Sequence, residues 1–341
     1  MKIRAAGLLD LARIEEMHRS ADIRLSEAAP PAARLWSLLS STLSALLPLS
    51  QETLIYVAEE NGKVIGFIQA SGQPLGLDLR RATVLQVLNL QVAEETEGRA
   101  RAGRPEGRAR AGRPELEEVA TALVEHLSNQ ALERGALRLF VRLPEGDPLL
   151  PAFRLRGFRQ YATEVVVYAD KRAMRSEQFP EGVRPVKRGD NRMLYQLYRK
   201  VTPQGVSQLE APTYREWRAL HGGEWTGRLA ARGSDKNEFV VDRIELVGWV
   251  KAERSSGARP DTLNFMALPE GPLPGELADF GLSLLGDSEA PTWSSLRHYD
   301  AHMIDALRGR GFSVLLTQLL LVKELAVRVP AREKGLVPSF G

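Results

Sequence analysis

Arg156-Gly157-Phe158, followed by the β-rich run RQYATEVVVYA at 159–169, returns as Arg310-Gly311-Phe312, followed by SVLLTQLLLVKE at 313–324. Two more pairs keep the same order upstream. Ile3-Arg4 with Asp10 is echoed by Val183-Arg184 with Asp190, and Val64-Ile65-Gly66-Phe67-Ile68 by Leu246-Val247-Gly248-Trp249-Val250. Three anchors in one order read as two copies of one unit. For 341 residues, two domains are also the natural expectation. The expected division is 1–170, a linker at 171–181, a more divergent copy at 182–330 and a tail at 331–341.

The first copy alternates strand and helix signals. Lys2 to Ala5 reads as a strand and the stretch after Asp10 as a helix, whose first turn Asp10 can cap. Pro30 and Pro31 open an apolar helical stretch. Two strands, 53–59 and 63–70, flank Asn61-Gly62, a hairpin turn whose two positions need positive φ. A longer strand at 83–92 precedes a helix at 116–134, stopped by Gly135 in the left-handed conformation. Strand 137–143, helix 149–156 and strand 160–169 complete the unit. The expected class is therefore α/β of the mixed α+β kind, with two domains, each a mainly antiparallel sheet flanked by helices.

Composition narrows the chemistry. With 43% hydrophobic and 26% charged residues the chain can build ordinary cores, and with no cysteine it has no disulfide or thiolate chemistry. No apolar run reaches the length of a membrane span and the first residues do not resemble a signal peptide, so a cytoplasmic protein is expected. The pI near 9.1 arises from one place. Gly98–Glu106 and Gly107–Glu115 are identical nonamers, GRARAGRPE, each with three Arg and one Glu. Together they carry +4 of a net +3, which leaves the remainder at −1 and argues against nucleic acid as a partner. Low in apolar content, this 98–115 insertion reads as an expanded surface loop; an arginine clamp for phosphate is the alternative.

The order of strands and helices, with Gly-Phe before the last strand, resembles the GNAT superfamily of acyl-CoA-dependent N-acyltransferases. The likeness covers 2–169 well and 183–329 less well. It implies acetyl-CoA or another acyl-CoA as co-substrate, no metal, and a small-molecule or peptide amine as acceptor. In the family, a Q/R-x-x-G-x-G/A loop at the helix start offers backbone N–H groups to the cofactor pyrophosphate. Counting back from Ala131 and Gly135 places that pattern on Glu115, Glu118 and Ala120. Alignment of the helix leucines places it on Glu276, Asp279 and Gly281 in the second copy. Both copies keep the small residue and put acids elsewhere. A carboxylate about 4 Å from a phosphate would cost roughly 4 kcal/mol at an effective dielectric near 20. The same acids also suit the first turn of a helix.

Candidate site residues follow from the resemblance. Leu90, Gln91 and Val92, on the fourth strand, are expected to pair with a pantetheine arm, and Ala120 and Gly281 to line the cofactor. The position of the family's tyrosine acid holds Phe153 in one copy and Leu307 in the other. Catalytic candidates are therefore Tyr299 or His298 as substitute acid and Glu94 as base, with Glu95 and Glu270 also near. His298 and His302 have the i, i+4 spacing of metal ligands but lack a third ligand, so no metal is expected. Tyr195, Tyr198, Tyr214 and Trp217 fall where such proteins build an acceptor pocket. The expected function is acyl transfer to an amine; the alternative is a lapsed enzyme kept as a binding or scaffold protein.

Overall fold

The structure, a computed structural model, describes residues 1–17, 52–74, 82–93, 116–170, 179–218, 220, 237–254, 260–270, 273–286 and 290–325. The duplicated nonamers, the stretch after Pro30-Pro31, Glu94, Glu95 and the expected tail lie outside these residues. Among the described residues twelve strands form one sheet: β1 (Lys2–Ala5), β2 (Glu52–Glu60), β3 (Lys63–Pro74), β4 (Ala82–Val92), β5 (Arg138–Pro144) and β6 (Arg159–Ala169) come from the N-terminal half. The C-terminal half adds β7 (Val183–Pro185), β8 (Asn237–Asp242), β9 (Leu246–Glu253), β10 (Asp261–Ala267), β11 (Thr292–Arg297) and β12 (Ser313–Glu324). The helices that frame the two cores and the site are α1 (Leu116–Glu133), α2 (Leu150–Leu155), α3 (Asn191–Val201), α4 (Gln204–Glu210), α5 (Leu273–Leu284) and α6 (Ala301–Arg308), and residues 11–17 and 214–218 are helical too.

The strand order is β1-β2-β3-β4-β5-β12-β6-β11-β10-β9-β8-β7. Only β4–β5 and β10–β11 run parallel. Each half thus gives its last strand to the other: β12 pairs with β5, and β6 with β11. Glu164 and Gln318, both 154 residues apart like Gly157 and Gly311, lie opposite each other in the central β6–β12 pair. That is where a pseudo-twofold relation between the halves must pass.

The echoes seen in the sequence are the same contacts made twice. Arg4 binds both oxygens of Asp10, at 2.6 and 3.0 Å, and reaches Glu59 at 2.7 Å, while Gly7 N–H donates to Asp10 at 2.7 Å. Arg184 binds both oxygens of Asp190, at 2.7 and 3.1 Å, and Asp242 at 2.7 Å, and Lys187 N–H donates to Asp190. In each half one aspartate both caps a short 3-10 turn and anchors the first strand, so Arg at that spacing is needed for a bidentate fork. The Arg4 guanidinium keeps the Asp10 carboxyl below its usual range.

Turn residues behave as their chemistry demands. Asn61 and Gly62 have φ of 49° and 76°, and Gly157 and Gly311 close their helices at 83° and 86°. Phe158 and Phe312 then bury their rings in the two cores that lie under α1–α2 and α5–α6. At Gly66 a Cβ would meet Leu123 Cδ1 at 3.2 Å, and at Gly248 it would meet Leu277 Cδ2 at 3.4 Å. These glycines let a helix approach the strand closely.

These contacts correct the alignment of the two helices. Leu123 with Leu277, Glu125 with Asp279 and Arg156 with Arg310 are all 154 apart. Arg156 pairs with Glu125 at 2.8 Å, and Arg310 grips both oxygens of Asp279 at 2.5 Å. Matching leucines had set Glu276 against Glu115, 161 apart, a slip of seven residues. Seven residues are two helical turns, and such a slip preserves the apolar face. Asp279 is therefore a buried ion-pair partner inside α5, away from the helix start. Gly281 is likewise internal: a Cβ there would meet Phe265 Cε1 and Val250 Cγ2, each at 3.0 Å.

Candidate functional site

Both parallel pairs part company before their strands end. The β4–β5 register runs from Val84↔Arg138 to Val87↔Val141, and β10–β11 from Asp261↔Thr292 to Leu263↔Ser294. Beyond these points each pair opens as a wedge. Leu90, Gln91 and Val92 lie past the opening of the first wedge and pair only with β3. One cavity of about 410 Å³ lies at the second opening. Its wall includes Arg142, the β5 residue just past the last β4–β5 pair, and Asn264 and Ser295, just past the last β10–β11 pair.

The period-two alternation of β9 explains the cavity floor. Trp249, Lys251 and Glu253 line it, whereas Val250 and Ala252 are buried in the core beside α5. In the cross-strand row, Glu238 and Asn264 stand on either side of Lys251. The counterparts in the N-terminal half, reached from Gly66 and Gly248, are Gln69 for Lys251 and Asn89 for Asn264, and those two amides bond each other at 2.9 Å. The charged version of this face belongs to the C-terminal half.

The roof is built by α3, α4 and the segment that follows. Tyr198 and Trp217 line the cavity, with Tyr195 and Tyr214 packed around Trp217. Arg138, buried on β5, fastens this roof: it donates to the Leu209 carbonyl and pairs with Glu216 at 2.8 Å. Glu210, at the end of α4, accepts from Arg297 at 2.7 Å, from Tyr161 O–H at 2.9 Å and from Tyr198 O–H at 3.3 Å. Residues of both halves thus close one chamber.

Electrostatics differ among the cavity carboxylates. Glu210 is saturated with donors. Glu253 pairs with Lys251 at 2.6 Å, and Glu238 accepts the Trp249 indole N–H at 2.9 Å. Glu164 is buried, 4% exposed, yet its two cations stand off: Arg297 at 3.5 Å and Arg142 at 3.9 Å. Burial raises the Asp300 carboxyl to about 7, against smaller opposing effects of a backbone hydrogen bond and the Arg297 charge. Burial also raises Tyr299, so its hydroxyl stays protonated.

The structure brings some of the expected residues together. Tyr299 lines the cavity, and its neighbour Asp300, which the sequence reading passed over, lines it too. His298 is exposed, and its backbone N–H bonds Thr163 O at 2.9 Å. His302 Nε2 lies 3.1 Å from the Ala267 carbonyl, so the two histidines do not converge, and among the described residues no three-ligand metal group occurs. Glu270 is exposed and Ala120 is core-buried. Phe153 and Leu307, the residues at the expected tyrosine position of each copy, are fully buried in the cores. Glu118 is exposed in the first turn of α1.

No family model matches the sequence, and no curated protein does. Solved structures do. A GCN5-related N-acetyltransferase from Sphaerobacter thermophilus superposes with a TM-score of 0.55 at 16% identity, over 95% of each chain. A tandem GNAT protein from the clavulanic acid biosynthesis pathway gives 0.52 at 15% identity, covering 96% of this chain and 99% of its own. A putative acetyltransferase from Pyrococcus horikoshii gives 0.50 at 12%, covering 96% and 90%. The chain has the fold of GCN5-related N-acetyltransferases. Along nearly its whole length it is similar to a tandem member of that kind. No helix among the described residues is long and apolar enough to cross a membrane.

Proposed function

We propose that the protein is an N-acyltransferase that binds an amine in the chamber between β8–β11 and α3–α4 and acylates it from an acyl-CoA. The observation that carries this reading is the placement of Asp300 and Tyr299 together on the chamber wall, beyond the point where β10 and β11 separate. A carboxyl titrating near neutrality is suited to take the proton of an ammonium at its Oδ atoms, freeing the nitrogen lone pair. Tyr299 holds its proton in the same chamber and can donate a hydrogen bond there. The aromatic walls, Trp217, Trp249 and Tyr198, suit a cation.

Acyl-CoA would supply the acyl group on its thioester. The first wedge fits it: the β4 edge at Leu90, Gln91 and Val92 is clear of β5, and Arg142 at its opening already borders the chamber. The second wedge fits it poorly. Pro274 lacks an N–H, Leu273 N–H donates to Glu270 O, and the Ala267 carbonyl is taken by His302. Those same observations favour a second reading, a GNAT-fold binding protein without turnover.

Calorimetric titration with acetyl-CoA, paired with mass-spectrometric assay of an amine panel, separates the two. The acyltransferase reading expects binding together with acetylated amine that Asp300→Asn abolishes. Amine binding without acetyl-CoA binding supports the second reading.

A further inference from the structure

We infer that Glu164, carried into the C-terminal half's chamber by the exchanged strand β6, is the docking carboxylate for a second, non-reacting ammonium, so that the acceptor is a diamine. This rests on the amine reading of the chamber given above. A buried carboxylate ordinarily accepts several hydrogen bonds. Glu164 lines the chamber, is 4% exposed, and among the described residues accepts no hydrogen bond, its arginine contacts being long at 3.5 and 3.9 Å. Arg297 binds Glu210 through Nη2 at 2.7 Å, and its Nη1, 3.5 Å from Glu164, makes no hydrogen bond among the described residues. An ammonium supplies three donors in a small volume, which is what such a carboxylate lacks.

The pseudo-symmetry agrees. Across the pseudo-twofold relation the position of Glu164 is held by Gln318, which is buried and faces Pro144 on β5. The exchange therefore delivers a charge to one half and an amide to the other. Neither half could assemble this chamber alone.

Cadaverine, n-hexylamine and aminocaproate share a five-carbon chain with one ammonium and differ in ending in ammonium, methyl or carboxylate. Calorimetry on the full chain is expected to rank them in that order, with cadaverine about tenfold tighter than n-hexylamine. Glu164→Gln should bring the two amines within about threefold of each other. Arg142→Gln removes a half-exposed cation from beside Glu164, leaves the core untouched, and should raise cadaverine affinity by about threefold. Equal binding of cadaverine and n-hexylamine to the natural protein, or weaker cadaverine binding by Arg142→Gln, overturns the docking role and leaves the amine reading standing. Failure of both amines to bind overturns the amine reading itself.

Discussion

Asp279 is gripped through both carboxylate oxygens by Arg310, at 2.5 Å each. The pair ties α5 to the turn that launches β12, and Arg310 also donates to the Ala306 carbonyl at 2.7 Å. An acid that the sequence set against a cofactor phosphate is thus neutralised inside the fold. Its counterpart, Glu125 with Arg156, is more exposed and lies on the other helix.

Removing one partner of that buried pair strands a charge. Asp279→Ala is expected to destabilise the chain by about 3 kcal/mol, whereas replacing both residues with leucine costs far less. Urea unfolding of the single and double variants measures the difference, and an equally large loss in both would contradict it.

Gly281 gives a second check on the corrected register. A methyl at this position presses on Phe265 and Val250, so Gly281→Ala should cost about 1–3 kcal/mol of stability. Acetyl-CoA affinity should hold steady in the variant below its melting temperature. A selective loss of affinity with unchanged stability would put Gly281 back at the cofactor.

Asp300 makes a pH-dependent prediction of known sign. Its carboxyl is raised by burial to about 7 in the folded chain, above its unfolded value, so the folded state binds the proton more tightly. Stability from this group is present at low pH and is lost as pH rises through about 7. Asp300→Asn should therefore gain most melting temperature relative to the natural protein above neutrality, with the gain shrinking as pH falls towards about 4. Melting curves at the two ends of that range decide it.

His302 tests which wedge serves the cofactor. If the first wedge does, His302→Ala frees the Ala267 carbonyl without changing acetyl-CoA affinity. A severalfold gain in affinity would move the pantetheine arm to β10.

Much of the fold was legible because its anchors are chemically demanding. Arg4 with Asp10 and Arg184 with Asp190 need one spacing for one bidentate fork, and Gly157 and Gly311 need positive φ. The helix register was not legible, since leucines recurring on one face look the same after a two-turn slip. Strand exchange leaves no local mark either: β6 and β12 carry similar apolar runs, and either could sit beside β5. Of the chamber wall, Tyr198 and Trp217 fall where the resemblance expects an acceptor pocket, and Tyr299 is the expected substitute acid. Asp300, next to Tyr299 in the chain, is not among the catalytic candidates that the sequence offers. The one signal for Glu164 was an acid in a β-rich run, and its importance depends on a partner strand more than a hundred residues away.

The most direct test is the pH–rate profile of acetyl transfer from acetyl-CoA to cadaverine. The natural protein should show a rate that rises to a plateau with an apparent pKa of about 7, and Asp300→Asn should lose that transfer while still binding both compounds. An unchanged rate and profile in Asp300→Asn would contradict the assignment of the chamber as the site of chemistry.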